Sequence, residues 1–295
     1  MLKRLQTAIP LIAIVLAAFF IPGRVGAVVF TLFAAALLVA ATREAYSLCG
    51  MAKLTSYELA TDLFGVLSLL GSAWASRSAF LWPATVLACD TGLLALAILS
   101  AFCILFRQGS LALPQLRELG IWALITITYA WCLMFLPKLY FLPGGHGALL
   151  ICFLVTVTKL SDIGAYFAGS ATAKLPDGNH KLAPMVSPKK SWEGLLGGIA
   201  ASLAGAIVFQ LLAGDRLSFT CVGQSFTISF LDAVLLGLVA PTAGLLGDLA
   251  ESAFKRVANA KDSGHLPGLG GVLDFLDSLV PMGPLFYAWL MLKLH

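Results

Sequence analysis

Long apolar runs separated by short polar stretches repeat along nearly the whole chain. They fall near 5–22, 25–42, 59–76, 86–106, 119–137, 147–170, 194–213, 229–247 and 277–294. About 20 mostly apolar residues in a helix cross the hydrocarbon core of a bilayer. The pattern therefore predicts an all-α polytopic membrane protein with about nine transmembrane helices. The first two runs are short and meet at Pro22-Gly23, so a re-entrant pair is the alternative there. The basic start and apolar stretch of MLKRLQTAIPLIAIVLAAFF resemble a signal peptide, but a second apolar run follows at once without a clear small-x-small cleavage site. An uncleaved first span is the expectation.

Composition agrees with the pattern. Hydrophobic residues make up 59% of the 295 residues, charged residues 12%, and the mean hydropathy is +0.92. Soluble domains carry roughly 25% charged residues, so a pair of soluble domains is excluded. The six cysteines are scattered without a CxxC pair, which indicates neither a zinc site nor a disulfide framework. The net charge of +4 is informative through its distribution. With the N-terminus in the cytoplasm, thirteen of the 19 Lys and Arg fall on inside segments and five on outside segments, with Lys159 inside a span. The positive-inside rule then predicts a cytoplasmic N-terminus and an external C-terminus.

Polar chemistry gathers in the second half, in inside segments near 171–193 and 248–276. This divides the chain into a transmembrane scaffold (1–140) and a C-terminal transmembrane catalytic region (141–295). The first segment, KLPDGNHKLAPMVSPKKSWEG, holds Lys181, Ser187, Lys189 and Lys190. Its plain reading is a loop that sets topology. Yet it runs into a glycine-rich helix for which Ser191 is the expected N-cap, and a helix N-terminus beside lysines suits an anionic phosphate. Just before it, Asp162 and Lys159 sit at or near membrane depth, where ionisable groups are costly and mark function by default. They are three residues apart, and their plain reading is a self-neutralising pair; Asp162 and Tyr166 share a helix face.

The second segment carries Asp248, Ser252 and Lys255 on one helical face, then Lys261, Asp262, the PGLGG turn, and Asp274 and Asp277 three residues apart. Glu251 and Lys255 read as an i, i+4 ion pair. Carboxylates held close repel unless a cation lies between them, and hard oxygen ligands with substrate phosphates suit Mg²⁺. Carboxylates for a metal, cations for phosphate and an apolar bundle for a lipid tail together point to phosphoryl or nucleotidyl transfer onto a lipid at the cytoplasmic face.

These residues also resemble a known family. Ser252-x-x-Lys255-Arg256-x4-Lys261-Asp262-x-Gly264 is similar to the signature of phosphatidate cytidylyltransferases (CDP-diglyceride synthases). Asp162-x-x-Ala-Tyr166-Phe-x-Gly169 and SPKKSWEG (187–194) are similar to its companion motifs, in the same order. Two positions depart: Leu269 stands where the family has His, and Phe275 where it has Arg.

The resemblance implies that CTP and phosphatidate give CDP-diacylglycerol and pyrophosphate, a step of phospholipid biosynthesis, in a multi-pass protein of the cell (inner) membrane. It implies Mg²⁺ on Asp248, Asp274 and Asp277, with a second cation as an option. Lys255, Arg256 and Lys261 would contact the triphosphate, with Asp262 in the same catalytic set. Asp162, Tyr166, Lys181, Ser187, Lys189, Lys190 and Ser252 would bind substrate. Expected partners are CTP, phosphatidate and membrane lipids, with no nucleic acid; a homodimer through glycine-rich spans is one arrangement the sequence allows. The rival readings are a CTP-dependent polyprenol kinase, an inactive lipid- or nucleotide-binding relative, and a transporter.

Overall fold

The computed structural model describes residues 21, 23–50, 56–76, 82–108, 112–144, 146–176, 178–221, 224–260, 263–264 and 271–293. They form helices α1 (Gly23–Leu48), α2 (Ser56–Ala75), α3 (Trp82–Arg107) and α4 (Leu113–Ile125). A π-helical turn (Thr126–Trp131) and α5 (Phe135–Tyr140) continue α4. Then follow α6 (Gly147–Thr172), α7 (Trp192–Ala213), α8 (Phe230–Val257), α9 (Val272–Leu276) and α10 (Leu279–Leu292). Two antiparallel hairpins are added, β1 (Lys181–Ala183) with β2 (Ser187–Ser191), and β3 (Ser218–Cys221) with β4 (Gln224–Thr227).

Seven stretches among the described residues are long and apolar enough to cross a membrane: Gly23–Leu48, Ala84–Arg107, Leu113–Tyr140, Gly147–Thr172, Trp192–Arg216, Phe230–Val257 and Val272–Leu292. The chain is thus an all-α multi-pass membrane protein. The candidate span at 5–22 lies almost wholly outside the described residues. The candidate at 59–76 is helix α2, whose hydropathy is lowered by Glu58 and Asp62 in its first two turns.

Helices α6 and α7 cross closely because small residues face each other. A Cβ on Gly164 would overlap Ala201 and the Gly197 carbonyl, and one on Gly197 would overlap Ala168. Such contacts let backbones approach and exchange dispersion energy where lipid provides no hydrophobic drive. Helix α8 starts with a capping box: Asp232 N–H donates to Ser229 Oγ (3.2 Å) and Ser229 N–H donates to Asp232 Oδ2 (2.9 Å). Lys293 closes α10 on that same Asp232 at 2.7 Å. The start of α8 and the end of α10 therefore share one end of the bundle. The second half of α8 and the start of α10 share the other, where the polar site lies.

The N-terminal helices carry more buried polar structure than their hydropathy announces. Thr42 donates to Asp62 at 2.6 Å, and Tyr46, Thr61 and Thr126 form a chain of hydroxyl contacts at 2.9 and 2.8 Å. Thr126 opens the π-helical turn. Helix α5 meets α3 through a buried ion pair between Lys138 and Asp90, with the Lys138 ammonium 3.9 Å from the Phe135 ring centre. These contacts satisfy groups that would otherwise be stranded in an apolar medium.

Candidate active site

Five elements converge at one end of the bundle: the second half of α6, hairpin β1–β2, the start of α7, the end of α8, and α9 with the residues that follow it. The stretch expected to be a basic loop folds as the hairpin, with Lys181 paired to Ser191 and Ala183 to Ser187. Ser191 caps α7 by accepting from Gly194 N–H at 3.1 Å. The hairpin thereby places Ser187, Lys189 and Lys190 over a cleft of about 400 Å³. Asp162, Tyr166, Asp248, Asp274 and Asp277 line the same cleft. Lys181 is exposed on β1 and is not among the cleft's lining residues. Lys261 and Asp262 lie outside the described residues.

Within the cleft the charges interlock. Lys190 meets Asp248 at 2.5 Å, and Ser252 donates to the other Asp248 oxygen at 3.2 Å. Lys159 donates to Ser278 at 2.9 Å and lies 3.4 Å from Asp162 and 3.9 Å from Asp277. Lys255 bridges Glu251 at 2.9 Å and Asp274 at 2.5 Å. The pair read from the sequence between Lys159 and Asp162 is therefore one edge of a wider network. Arg256 turns outward and donates from Nε to the Val186 carbonyl at 3.3 Å, which ties the end of α8 to the tip of the hairpin.

Asp248, Glu251 and Asp277 each present a carboxylate oxygen within 4.8 Å of the others. Glu251 is only 2% exposed, and its buried Oε1 has no hydrogen-bond partner among the described residues. Among the described residues, five carboxylates here meet three lysines directly, with Lys189 on the cleft wall as a fourth cation, which leaves negative charge in excess. A divalent cation with oxygen preference fits this donor set, the orphaned Glu251 oxygen most of all.

The sequence pointed to Asp274 as a third metal carboxylate. In the structure Asp274 Oδ1 is held by Lys255, while Oδ2 accepts from Gly271 N–H at 2.7 Å and Ser263 Oγ at 3.0 Å. It caps α9 and orients Lys255. Glu251, legible beforehand only as a partner for Lys255, stands with Asp248 and Asp277 instead.

Glu44 on α1 was missed altogether. Its Oε2 accepts from Leu273 N–H at 3.0 Å and Ser263 Oγ at 3.2 Å. It holds the start of α9 from a helix more than two hundred residues away in sequence. A Cβ on Gly264 would collide with the Glu44 carboxylate, and one on Gly271 with Ser263 Oγ. At Gly271 the Gly264 backbone nitrogen, 2.6 Å from that Cβ, leaves no room for a side chain, and at Gly264 any side chain would displace the Glu44 carboxylate. No local signal announces Glu44; it is an ordinary charge at the end of an apolar run.

Comparison with known proteins agrees with the geometry. The family model described as the cytidylyltransferase family matches residues 2–293. The phosphatidate cytidylyltransferase of Bacillus subtilis (strain 168) is 31% identical over 243 residues, 82% of each chain. That of Haemophilus influenzae is 41% identical over 142 residues, 48% of this chain and 45% of the relative. That of Pseudomonas aeruginosa is 39% identical over 175 residues, 59% of this chain and 57% of the relative. The matched region thus spans about half the length of the latter two.

Proposed function

The chain belongs to the cytidylyltransferase family, and from that premise we propose that it is a phosphatidate cytidylyltransferase, making CDP-diacylglycerol and pyrophosphate from CTP and phosphatidate. The observation that carries this reading is the single cleft in which Lys189 and Lys190 face the carboxylates Asp248 and Asp277. Anion-binding and cation-binding groups are brought together there beside an apolar bundle. The names of the relatives support the same activity.

In the reaction a phosphatidate oxygen attacks the α-phosphorus of CTP, the bond to the β,γ-diphosphate breaks, and pyrophosphate leaves. The attacking oxygen is already ionised near neutral pH, so no strong base is needed. Catalysis of this kind rests on positioning and on neutralising charge over the phosphoryl oxygens. Lys189, Lys190 and the capped α7 N-terminus hold phosphate oxygens through N–H donors. Lys159, anchored by Ser278, is aimed from within the membrane toward the lipid phosphate. Lys255 is held in place by Glu251 and Asp274, and Asp248, Glu251 and Asp277 would hold Mg²⁺. When bound, the metal supplies positive charge that offsets the triphosphate. Asp162 and Tyr166 border the lipid side of the cleft. On the distribution of Lys and Arg, the reading puts the N-terminus and this site on the cytoplasmic face of the inner membrane, where CTP is found, with nine spans in all.

The test is an assay of purified protein in detergent micelles with CTP, Mg²⁺ and phosphatidate, following pyrophosphate and lipid product together. Pyrophosphate with CDP-diacylglycerol is the expected result. CDP release with a polyprenol acceptor, and no product from phosphatidate, would replace this reading with that of a kinase.

Glu44 is a positioning residue in this scheme: it holds Leu273 and Ser263 and is not among the lining residues of the cleft. Glu44→Gln keeps size and removes charge, weakening two hydrogen bonds that hold α9. The expected result is a fall in kcat of about tenfold with KM for CTP changed by less than about twofold, because small displacements cost turnover more than binding. Equal losses in kcat and in folded yield would reduce Glu44 to a merely structural role.

A further inference from the structure

Helix α9 has two faces, and only one belongs to the cleft. Asp274 and Asp277 line the polar side. Phe275 and Leu276, together with Leu279 beyond them, line a separate cavity of about 250 Å³. Its other walls come from α1 (Phe33, Leu37), α5 with the turn before it, and α6 (Cys152, Val155). Thr156 is the only hydroxyl-bearing side chain among its lining residues, and none is charged. Such a space gives water no partners and suits hydrocarbon.

Phe275 lines the apolar cavity and lies next to Asp274, which lines the cleft. Its ring centre lies 5.2 Å from the Lys159 ammonium, which reaches toward Asp162 and Asp277 in the cleft. Cys152, Val155 and Lys159 follow one another at i, i+3 and i+7, so a single face of α6 runs from apolar wall to charged head. An amphiphile whose phosphate lies at Lys159 meets Phe275 next and the cavity after it. Phe275 is also where this chain carries an aromatic ring in place of the arginine of the motif it resembles. The ring continues the apolar wall to the edge of the charged network, where it meets the Lys159 ammonium.

We propose that this cavity holds one acyl chain of the lipid substrate, with Phe275 as the junction between headgroup and chain. The proposal rests on the phosphatidate reading and adds the place of the chain. The occupant is the substrate's own chain and not an unrelated bilayer lipid, because the cavity adjoins the candidate site and shares α9 and α6 with it. Filling the cavity should therefore penalise long-chain substrates and spare short ones.

The test compares wild type with Val155→Trp, using dipalmitoyl and dihexanoyl phosphatidate. The expected result is a loss of at least about tenfold in kcat/KM for the long-chain lipid and less than about twofold for the short one. Equal losses, or none, would overturn the assignment. Because a tryptophan there risks misfolding, wild-type protein is also photolabelled with phosphatidate bearing a diazirine at the end of one chain, and the adducts are mapped. Label on Phe33, Leu37, Cys152 or Val155, displaced by dipalmitoyl but not dihexanoyl phosphatidate, is expected. Label confined to lipid-facing residues such as Leu96 and Phe102 on α3, in protein that turns the lipid over, overturns the chain site and leaves the activity standing. Wild-type protein with no turnover of either lipid overturns the parent reading, and this assignment with it.

Discussion

Asp277→Asn leaves a folded membrane protein whose kcat falls by about 10²–10³-fold, the range seen when one charged or hydrogen-bonding group is removed from a preorganised site. The change removes the charge of one of the cluster's three carboxylates. Asp277 is one of three carboxylates within 4.8 Å, and it is the one that Lys159 approaches from the membrane side at 3.9 Å. Asparagine keeps the volume and an oxygen that can accept from Ser278 N–H, which donates to Asp277 Oδ1 at 2.5 Å in the native chain. The break between α9 and α10 is therefore retained, and loss of fold is not the expected cause of the defect. A group that acts in the transition state lowers kcat and kcat/KM together. A second readout separates metal binding from catalysis in general. Mg²⁺ should raise the thermal midpoint of wild type, since a ligand that binds only the folded state stabilises it. In Asp277→Asn that shift should shrink or vanish. Turnover near the wild-type level, with the Mg²⁺ shift intact, would remove Asp277 from the site.

The second large effect is on stability and lies away from the cleft. Asp90→Ala should destabilise the protein by about 3–5 kcal/mol, the usual cost of leaving one charge of a buried pair without its partner. Lys138 is 1% exposed, and its ammonium is enclosed by Asp90, the Phe135 ring and, at 5.9 Å, the Tyr287 ring. Without Asp90 the ammonium must lose its proton or draw in water, and both are costly in an apolar surround. The double variant Asp90→Leu with Lys138→Met should recover most of the loss, because removing both charges also removes the desolvation penalty. Unfolding in detergent micelles checks all three proteins. A single variant within about 1 kcal/mol of wild type, where most surface substitutions lie, would show that water or lipid headgroups already satisfy the pair.

Long helices were readable in the sequence because lipid removes the usual ambiguity. An apolar run in a bilayer has few alternatives to a helix, since every backbone group must find a partner within the segment. Cap chemistry was readable for the same local reason. Ser191 sits at the boundary between an extended stretch and a glycine-rich helix, and its hydroxyl has one obvious use. The hairpin that precedes it was not readable: SPKKS alternates no apolar face, and its pairing with Lys181–Ala183 depends on a turn that the prolines only partly announce. Helix α9 was likewise hidden: residues 272–276 fell at the end of the polar segment near 248–276, just before the apolar run near 277–294.

Among the site residues the division follows distance along the chain. Asp248, Ser252 and Lys255 share a face because a helix repeats every 3.6 residues, and three numbers suffice to see it. The motifs that carry the family resemblance are of this kind, each lying within a dozen or so residues. Which carboxylates stand together was decided by how α8 packs against α9 and α10. That packing brings Asp277 to Asp248 and Glu251, which already neighbour each other at i, i+3 on α8, and gives Asp274 to Lys255. Glu44 belongs to the same class, reaching the loop from the first described helix. The sequence by itself determined a membrane bundle, the end at which its polar chemistry gathers, and the family, because hydropathy and short motifs are local properties of a chain. Only the tertiary structure decided the charge partners that lie on different helices and the apolar cavity behind Phe275, because both depend on distances between helices that no spacing within one helix contains.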